Sequence, residues 1–312
     1  MIIEVLSYLI PLIQIVLPAY FVFNIWRKRV ETKAAWAIHA MHGILSLLIL
    51  FLVFRWDLAG NSLRYWWNGL CLAGILVSYR QAIAQPWYDK QAFSWSWGIM
   101  LELVLLIGGL AWVSMGLYPD KQPVDMHYPL KGESYFVVHG GDTPILNYHG
   151  GAVYSQKYAL DINQLNGWGR RSSGVYPENP GRYAIFGDRV YSPIQGTVVQ
   201  IADSLSDLRP PNRQPAQPAG NHVWVKNNNL YVLLAHLKQH SIQVEEGEQV
   251  QVGQPLARVG NTGNTTEPHL HMHAVKNPKL DTTGTGTRFH GGKPVPISFN
   301  DRFLIRNDTF SK

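Results

Sequence analysis

The sequence predicts a chain of two parts: four membrane-crossing helices at the amino-terminal end, then a mainly antiparallel β domain. Two observations carry that expectation. Four long apolar runs crowd into residues 1–118, whereas from Pro119 onward Gly, Pro, Asn and short β-branched runs take over. At 312 residues the chain is also long for one domain, and its apolar residues, 46% overall, are unevenly spread.

The apolar runs cover residues 6–26, 35–54, 65–83 and 93–117. Each supplies roughly 17–25 residues of helix, the length that crosses a bilayer core. The first run lacks a basic leading segment and is followed by further runs, so it reads as a span rather than a cleaved leader. Arg27, Lys28, Arg29 and Lys33 follow the first run, and Arg80 and Lys90 the third, while the loop between the second and third holds only Arg55 and Arg64. Lys and Arg collect on the cytoplasmic side. The amino terminus is therefore expected outside, and four spans return the chain outside. Trp66, Trp67, Trp95 and Trp97 sit near run ends, where indoles favour the membrane interface. His39 and His42 in the second run and Glu102 in the fourth are expensive in lipid. They are expected to pair between helices; transport is the other reading of such residues.

Behind the helices, residues 119–131, beginning "PDKQPVD", read as a linker, and 132–312 as an extracytoplasmic domain. Segments such as "YFVVHGG", "RVYSPIQGTVVQIA" and "NHVWVKNNNLYVLLAHL" are short strand patterns between turn residues. The run "RPPNRQPAQPAG" at 209–220 has no apolar pattern and reads as a dispensable inserted loop. Cys71, the single cysteine, lies in the third apolar run, so the β domain must rely on a packed core or a metal. The net charge of +6 divides evenly between the two parts and forms no dense basic patch with interleaved aromatics, which excludes a nucleic-acid partner.

The stretch "NTTEPHLHMHAV" places His269, His271 and His273 at every second position, so a strand would turn them to one face. Other candidates are His149 in "NYHGG", Asp161 in "KYALDIN" and His236 in "LLAHL". A catalytic zinc site commonly takes three protein ligands and keeps a position for water, with imidazole and carboxylate as suitable donors. His127, His139, His222, His240 and His290 read as surface or hydrogen-bonded structural residues.

With "YALDI" preceded by a histidine, then "LLAHL", then "GNTGNTTEPHLHMHAV", the chain from about 135 to 274 resembles the lysostaphin-type (LytM-type) zinc metallopeptidases, peptidase family M23. These cut stem peptides and bridges of bacterial peptidoglycan. The resemblance implies a lysostaphin-type, duplicated-hybrid-motif-like β fold, one Zn2+ per chain and a peptidoglycan peptide as substrate; the apolar runs themselves make the bilayer the expected partner of the four helices. It implies His149, Asp161 and His271 as metal ligands, with His236 and His269 lining the reaction site as general base, proton shuttle or oxyanion stabiliser. Two neutral imidazoles and one carboxylate leave a bound dication net positive, which acidifies water. Eleven residues separate His149 from Asp161, more than in the shortest family pattern, so His149 is expected to reach the metal from a loop. His273 is expected to support rather than ligate. The alternative is a wall-binding module without catalysis that activates other cell-wall hydrolases; the filled ligand positions favour the enzyme. "VEEGEQVQVGQPLARVG" also resembles biotinyl and lipoyl carrier domains, but the corresponding turn, "GNTGN", has no lysine to modify.

Overall fold

The computed structural model describes residues 2–89, 97–281 and 288–311; Lys90, Trp95 and the beginning of the fourth apolar run lie outside them. The four apolar runs appear as helices α1 (Ile2–Arg27), α2 (Lys33–Val53), α3 (Leu63–Ala82) and α4 (Trp97–Met115). Thr32 caps α2 by accepting a hydrogen bond from Ala35 N at 3.1 Å.

Among the described residues three helices, not four, are long and apolar enough to cross a membrane: Tyr8–Arg27 within α1, then α2 and α4. The helix α3 falls short because Arg64, Asn68, Arg80, Gln81 and the polar ends of its Tyr and Trp side chains lower its hydropathy. The bundle is apolar on the outside, with Leu72, Leu76, Leu101 and Leu105 all more than 60% exposed. Small and polar residues lie between helices: a Cβ at Gly74 would collide with the Trp26 indole, and Trp36 Nε1 donates to Ser78 Oγ at 3.0 Å. This is the contact chemistry of helices packed in lipid, where close approach and hydrogen bonds replace the hydrophobic effect. His42 Nε2 lies 2.8 Å from Glu102 Oε1, so the expected pairing between helices is present for these two residues, across α2 and α4.

The β domain runs through β1 (Val124–Met126), β2 (Tyr135–His139), the one-turn helix α5 (Tyr148–Ala152), β3 (Leu160–Gln164), β4 (Arg189–Tyr191), β5 (Gly196–Ala202), β6 (Asn221–Asn227) and β7 (Leu230–Leu237). It continues with β8 (Gln249–Val250), β9 (Pro255–Arg258), β10 (Leu270–Lys276), β11 (Lys279–Asp281), β12 (Arg288–His290), β13 (Lys293–Val295), β14 (Ile297–Phe299), β15 (Arg302–Phe303) and β16 (Thr309–Phe310). The main sheet has the order β16-β2-β3-β10-β7-β6-β5-β8, with β13 also on β10. All its pairings are antiparallel.

The segment expected as linker is partly strand. Val124–Met126 pairs in parallel with β14, and Leu130 bridges to Val190. Met126, Tyr128 and Leu130 are all buried in the main core, because "VDMHYPL" carries the period-two apolar pattern of a half-buried strand.

The same alternation sets the faces of the central strands. Leu160 and Ile162 on β3, Leu270, Met272 and Ala274 on β10, and Val232 and Leu234 on β7 enter one core. Asp161, His271 and His273, the intervening residues, are thereby turned to the other face. The proline-rich loop between β5 and β6 is not the free insertion expected. Gln214 N donates to Gly263 O at 2.7 Å, and Ala219 O accepts from His236 N at 3.0 Å. Gly220, at φ +60°, has no room for a Cβ beside the Thr262 backbone.

Candidate metal centre

Strand register assembles the site. Across β10 and β3, His271 is paired with Asp161, and across β10 and β7 with Ala235. Two bulges then re-aim neighbouring side chains. In β2 the register shifts between Val137 and His139, which puts His139 opposite Asp161. In β7, Ala235 pairs with His222 and Leu237 with Asn221, so His236 is the extra residue of a bulge. Its backbone sits at φ +61°, a left-handed conformation that costs a non-glycine residue about 1 kcal/mol or more. The hydrogen bonds His236 N to Ala219 O and Gly260 N to His236 O, both 3.0 Å, hold it there.

His149 reaches the same place from α5, a single helical turn where a loop was expected. Asn147 builds that turn: its Oδ1 accepts from His149 N at 3.3 Å, and its Nδ2 donates to Ala159 O at 2.9 Å, just ahead of β3. Asp161 is the second residue of β3. His149 Nε2 lies 2.7 Å from Asp161 Oδ2, and His271 Nδ1 lies 2.8 Å from Asp161 Oδ1. One ligand atom from each of the three falls within 4.8 Å of the others. Asp161 and His271 are buried, whereas the His149 side chain keeps 19% exposure and marks the side open to solvent. The residues fit a zinc ion: nitrogen and carboxylate oxygen donors, three in number, with one open side.

Electrostatics agree with that fit. Burial would raise the Asp161 carboxyl, but the charges and hydrogen bonds of His149 and His269 outweigh it and hold the group well below the usual carboxylate range. Burial lowers His271 and pushes His273 well below the ordinary imidazole value, with neighbouring histidines adding to the effect at His273. Neutral imidazole and ionised carboxylate are the forms that bind metal.

His236 and His269 stand beside this trio, with ring centroids 4.8 Å apart and His236 5.8 Å from His271. Both are anchored through Nδ1, which lies 2.8 Å from Thr262 O in His236 and 2.9 Å from Glu267 O in His269. Because a carbonyl accepts only, each Nδ1 carries a proton, which leaves Nε2 of each ring as the atom that can take up or give a proton. His269 Nε2 is 3.5 Å from Asp161 Oδ1. Burial, then His269 and His271, push His236 well below its ordinary value; burial acts the same way on His269, but Asp161 prevails and raises it.

The third alternating histidine has a supporting place. His273 Nδ1 lies 3.0 Å from His271 Nε2, and its ring meets Trp224 edge-on at 5.6 Å. A proton on His271 Nε2 donated to His273 leaves Nδ1 as the lone pair facing Asp161.

The residues missed in the sequence lie behind the histidines. Arg55 Nη2 donates to Asp57 Oδ2 at 2.6 Å and to Glu267 Oε1 at 2.7 Å, and Arg171 Nε donates to Glu267 Oε2 at 2.5 Å. Burial would raise the Glu267 carboxyl, but the two guanidinium groups lower it to about 2. On the other flank, Arg306 Nη2 donates to His139 Nδ1 at 2.9 Å, and His139 packs 5.7 Å from the His149 ring. Sequence separations of 212, 96 and 167 residues in these contacts leave no local pattern that marks them.

Comparison with known proteins finds a family match over part of the chain. Residues 182–282 match the model of Peptidase family M23. That stretch contains His236, His269 and His271; His149 and Asp161 precede it. Peptidoglycan DD-endopeptidase ShyC of Vibrio cholerae is 36% identical over 59 residues, 19% of this chain and 13% of that protein. Peptidoglycan DD-endopeptidase ShyB of the same organism is 32% identical over 109 residues, 34% of this chain and 22% of that protein. The chain thus spans less than a quarter of the length of these relatives. Among solved structures, the antimicrobial peptidase lysostaphin from Staphylococcus simulans aligns over 48% of each chain at 16% identity and a TM-score of 0.28.

Proposed function

We propose that this chain, which carries a Peptidase family M23 segment, is a membrane-anchored zinc metalloendopeptidase that hydrolyses peptide bonds in peptidoglycan. The observation that carries the reading is the convergence of His149, Asp161 and His271, one ligand atom each within 4.8 Å, beside two further histidines anchored through Nδ1. Zinc held by those three residues supplies a Lewis acid that polarises a carbonyl and makes water nucleophilic near neutral pH. The protein supplies the proton path. His236 and His269, anchored on carbonyls, present Nε2 to take a proton from the attacking water and return it to the leaving amine, so that one water is consumed and one amide bond becomes a carboxylate and an amine. In its other protonation state each ring is a donor to the tetrahedral oxyanion. Cross-linked stem peptides are the substrate class to try first, because the curated relatives over this stretch are named peptidoglycan DD-endopeptidases. The test is digestion of purified peptidoglycan by the full-length protein, with fragments identified by mass. New pairs of amino and carboxyl termini are expected; an unchanged wall would sink the substrate assignment.

The membrane reading extends to sidedness, with α3, the least apolar of the helices, crossing the bilayer among the other three. Asn61 N, in the loop between α2 and α3, donates to Gly169 O at 2.9 Å, and Asp120, just after α4, meets Lys157 Nζ at 2.9 Å. Lys33 N meets Pro86 O at 3.0 Å at the opposite end of the bundle. The basic residues Arg27, Lys28, Arg29 and Lys33 thus gather away from the β domain, which supports a cytoplasmic position for them and an extracytoplasmic one for the site. A reporter fused after Leu117 is expected to be active only in a form that works outside the cytoplasm; cytoplasmic activity there would remove the cell wall as substrate.

A further inference from the structure

The loop between α2 and α3, residues 54–62, is not merely a turn between helices. Trp56 and Asp57 are buried, Arg171 N donates to Asp57 O at 3.0 Å, and Arg170 Nε donates to Ala59 O at 3.2 Å. The helical region therefore docks on the β domain at the two residues, Arg170 and Arg171, that follow the end of β3 by a short turn.

Arg55 carries the contact toward the candidate site. Its guanidinium spans Asp57 and Glu267, and Arg171 holds the other oxygen of Glu267, so two cations and two anions close a network. Glu267 is buried, and its backbone carbonyl is the acceptor that orients His269. Thr265 Oγ1 also donates to that carbonyl at 2.7 Å, so the turn 265–267 is fixed from both its backbone and its side chain. The opposite flank is braced from the same place: Arg306 Nη1 donates to Val53 O, the last residue of α2, at 2.9 Å, while its Nη2 reaches His139 beside His149. Asn307 Nδ2 donates to Leu52 O at 2.9 Å.

We infer that the helical region completes the active site: Arg55 is a positioning residue that holds Glu267, and through the Glu267 carbonyl fixes the ring of His269. This rests on the proposed function, in which His269 works in proton transfer. The consequence is that residues 120–312 alone lack a wall of their own site. A misplacement of about 1 Å costs roughly 10²-fold in rate when it shifts a reacting group, which sets the size of effect to expect.

The experiment uses the full-length chain in bilayer nanodiscs and compares Arg55→Ala, Arg55→Lys, Glu267→Gln and the Arg55→Ala/Glu267→Gln pair. Zinc content, kcat and KM on soluble peptidoglycan fragments, and amide hydrogen exchange are measured for each. Arg55→Ala is expected to keep zinc and KM while kcat falls roughly 10–100-fold. Arg55→Lys, which retains a cation for Glu267, recovers part of the loss, and the pair is no slower than its slower single variant. Exchange over 264–270 rises in Arg55→Ala while β7 stays protected. Wild-type kcat in Arg55→Ala, or unchanged exchange over 264–270, would overturn the inference. Zinc loss with exchange rising across β7 would overturn it too, because Arg55 would then hold the whole fold. A wild-type chain that neither binds zinc nor cleaves defeats the proposed function, and the exchange comparison still decides whether Arg55 orders the turn.

Discussion

Zinc content and hydrolysis collapse together in His271→Ala and in Asp161→Ala. Each substitution removes one of three donors that meet within 4.8 Å, and two protein ligands hold the ion poorly. Asp161 has the larger structural role, since its two oxygens face His149 and His271 at 2.7 and 2.8 Å. Its removal separates the imidazoles as well as deleting a ligand. The fold should survive in both variants, because the residues flanking Asp161 and His271 on their strands, Leu160, Ile162, Leu270 and Met272, remain in the core. Metal analysis and peptidoglycan cleavage at equal folded concentration check the result. His273→Ala is the graded case: losing the partner of His271 Nε2 weakens zinc affinity by roughly 10–100-fold without abolishing the site.

The second large effect separates chemistry from binding. His236→Ala and His269→Ala keep zinc, yet cleavage falls by roughly 10²–10⁴-fold, the usual size of a general acid–base contribution. Neither ring belongs to the trio of converging ligand atoms, and each is held through Nδ1 by a backbone carbonyl. His236→Ala carries an additional consequence. Its backbone at φ +61° is strained for alanine as well, so the bulge loses its side-chain anchor on Thr262 and keeps only the bonds to Ala219 and Gly260. His236→Gly is the matched control, because glycine takes that φ freely. Equal losses in the two variants assign the effect to the imidazole; full activity in either removes His236 from the chemistry.

The alternating histidines were legible because strand periodicity is local: one glance at 269–273 gives the face that His271 and His273 share. The β character of the domain and the four helices were legible for the same reason, whereas 209–220 was legible as a loop but not in its bonds to Gly263 and His236. Span counting failed at α3 because arginines, asparagine and aromatic rings dilute its hydropathy, although a helix forms there. The linker failed at Val124, where a three-residue strand, the start of a short alternating pattern behind the polar "PDKQP", finds its partner 173 residues away in β14. The buttress of the site was invisible for a stronger reason. Arg55 read as a loop charge in the positive-residue count, and only the tertiary fold places it against Glu267.

Counting zinc in the purified full-length chain and following peptidoglycan cleavage before and after chelation tests the central claim most directly. The account predicts one zinc per chain, activity that disappears with the metal and returns when zinc is restored, and no such return in His271→Ala. Undiminished cleavage by the metal-free chain, or full zinc and full activity in His271→Ala, would contradict it.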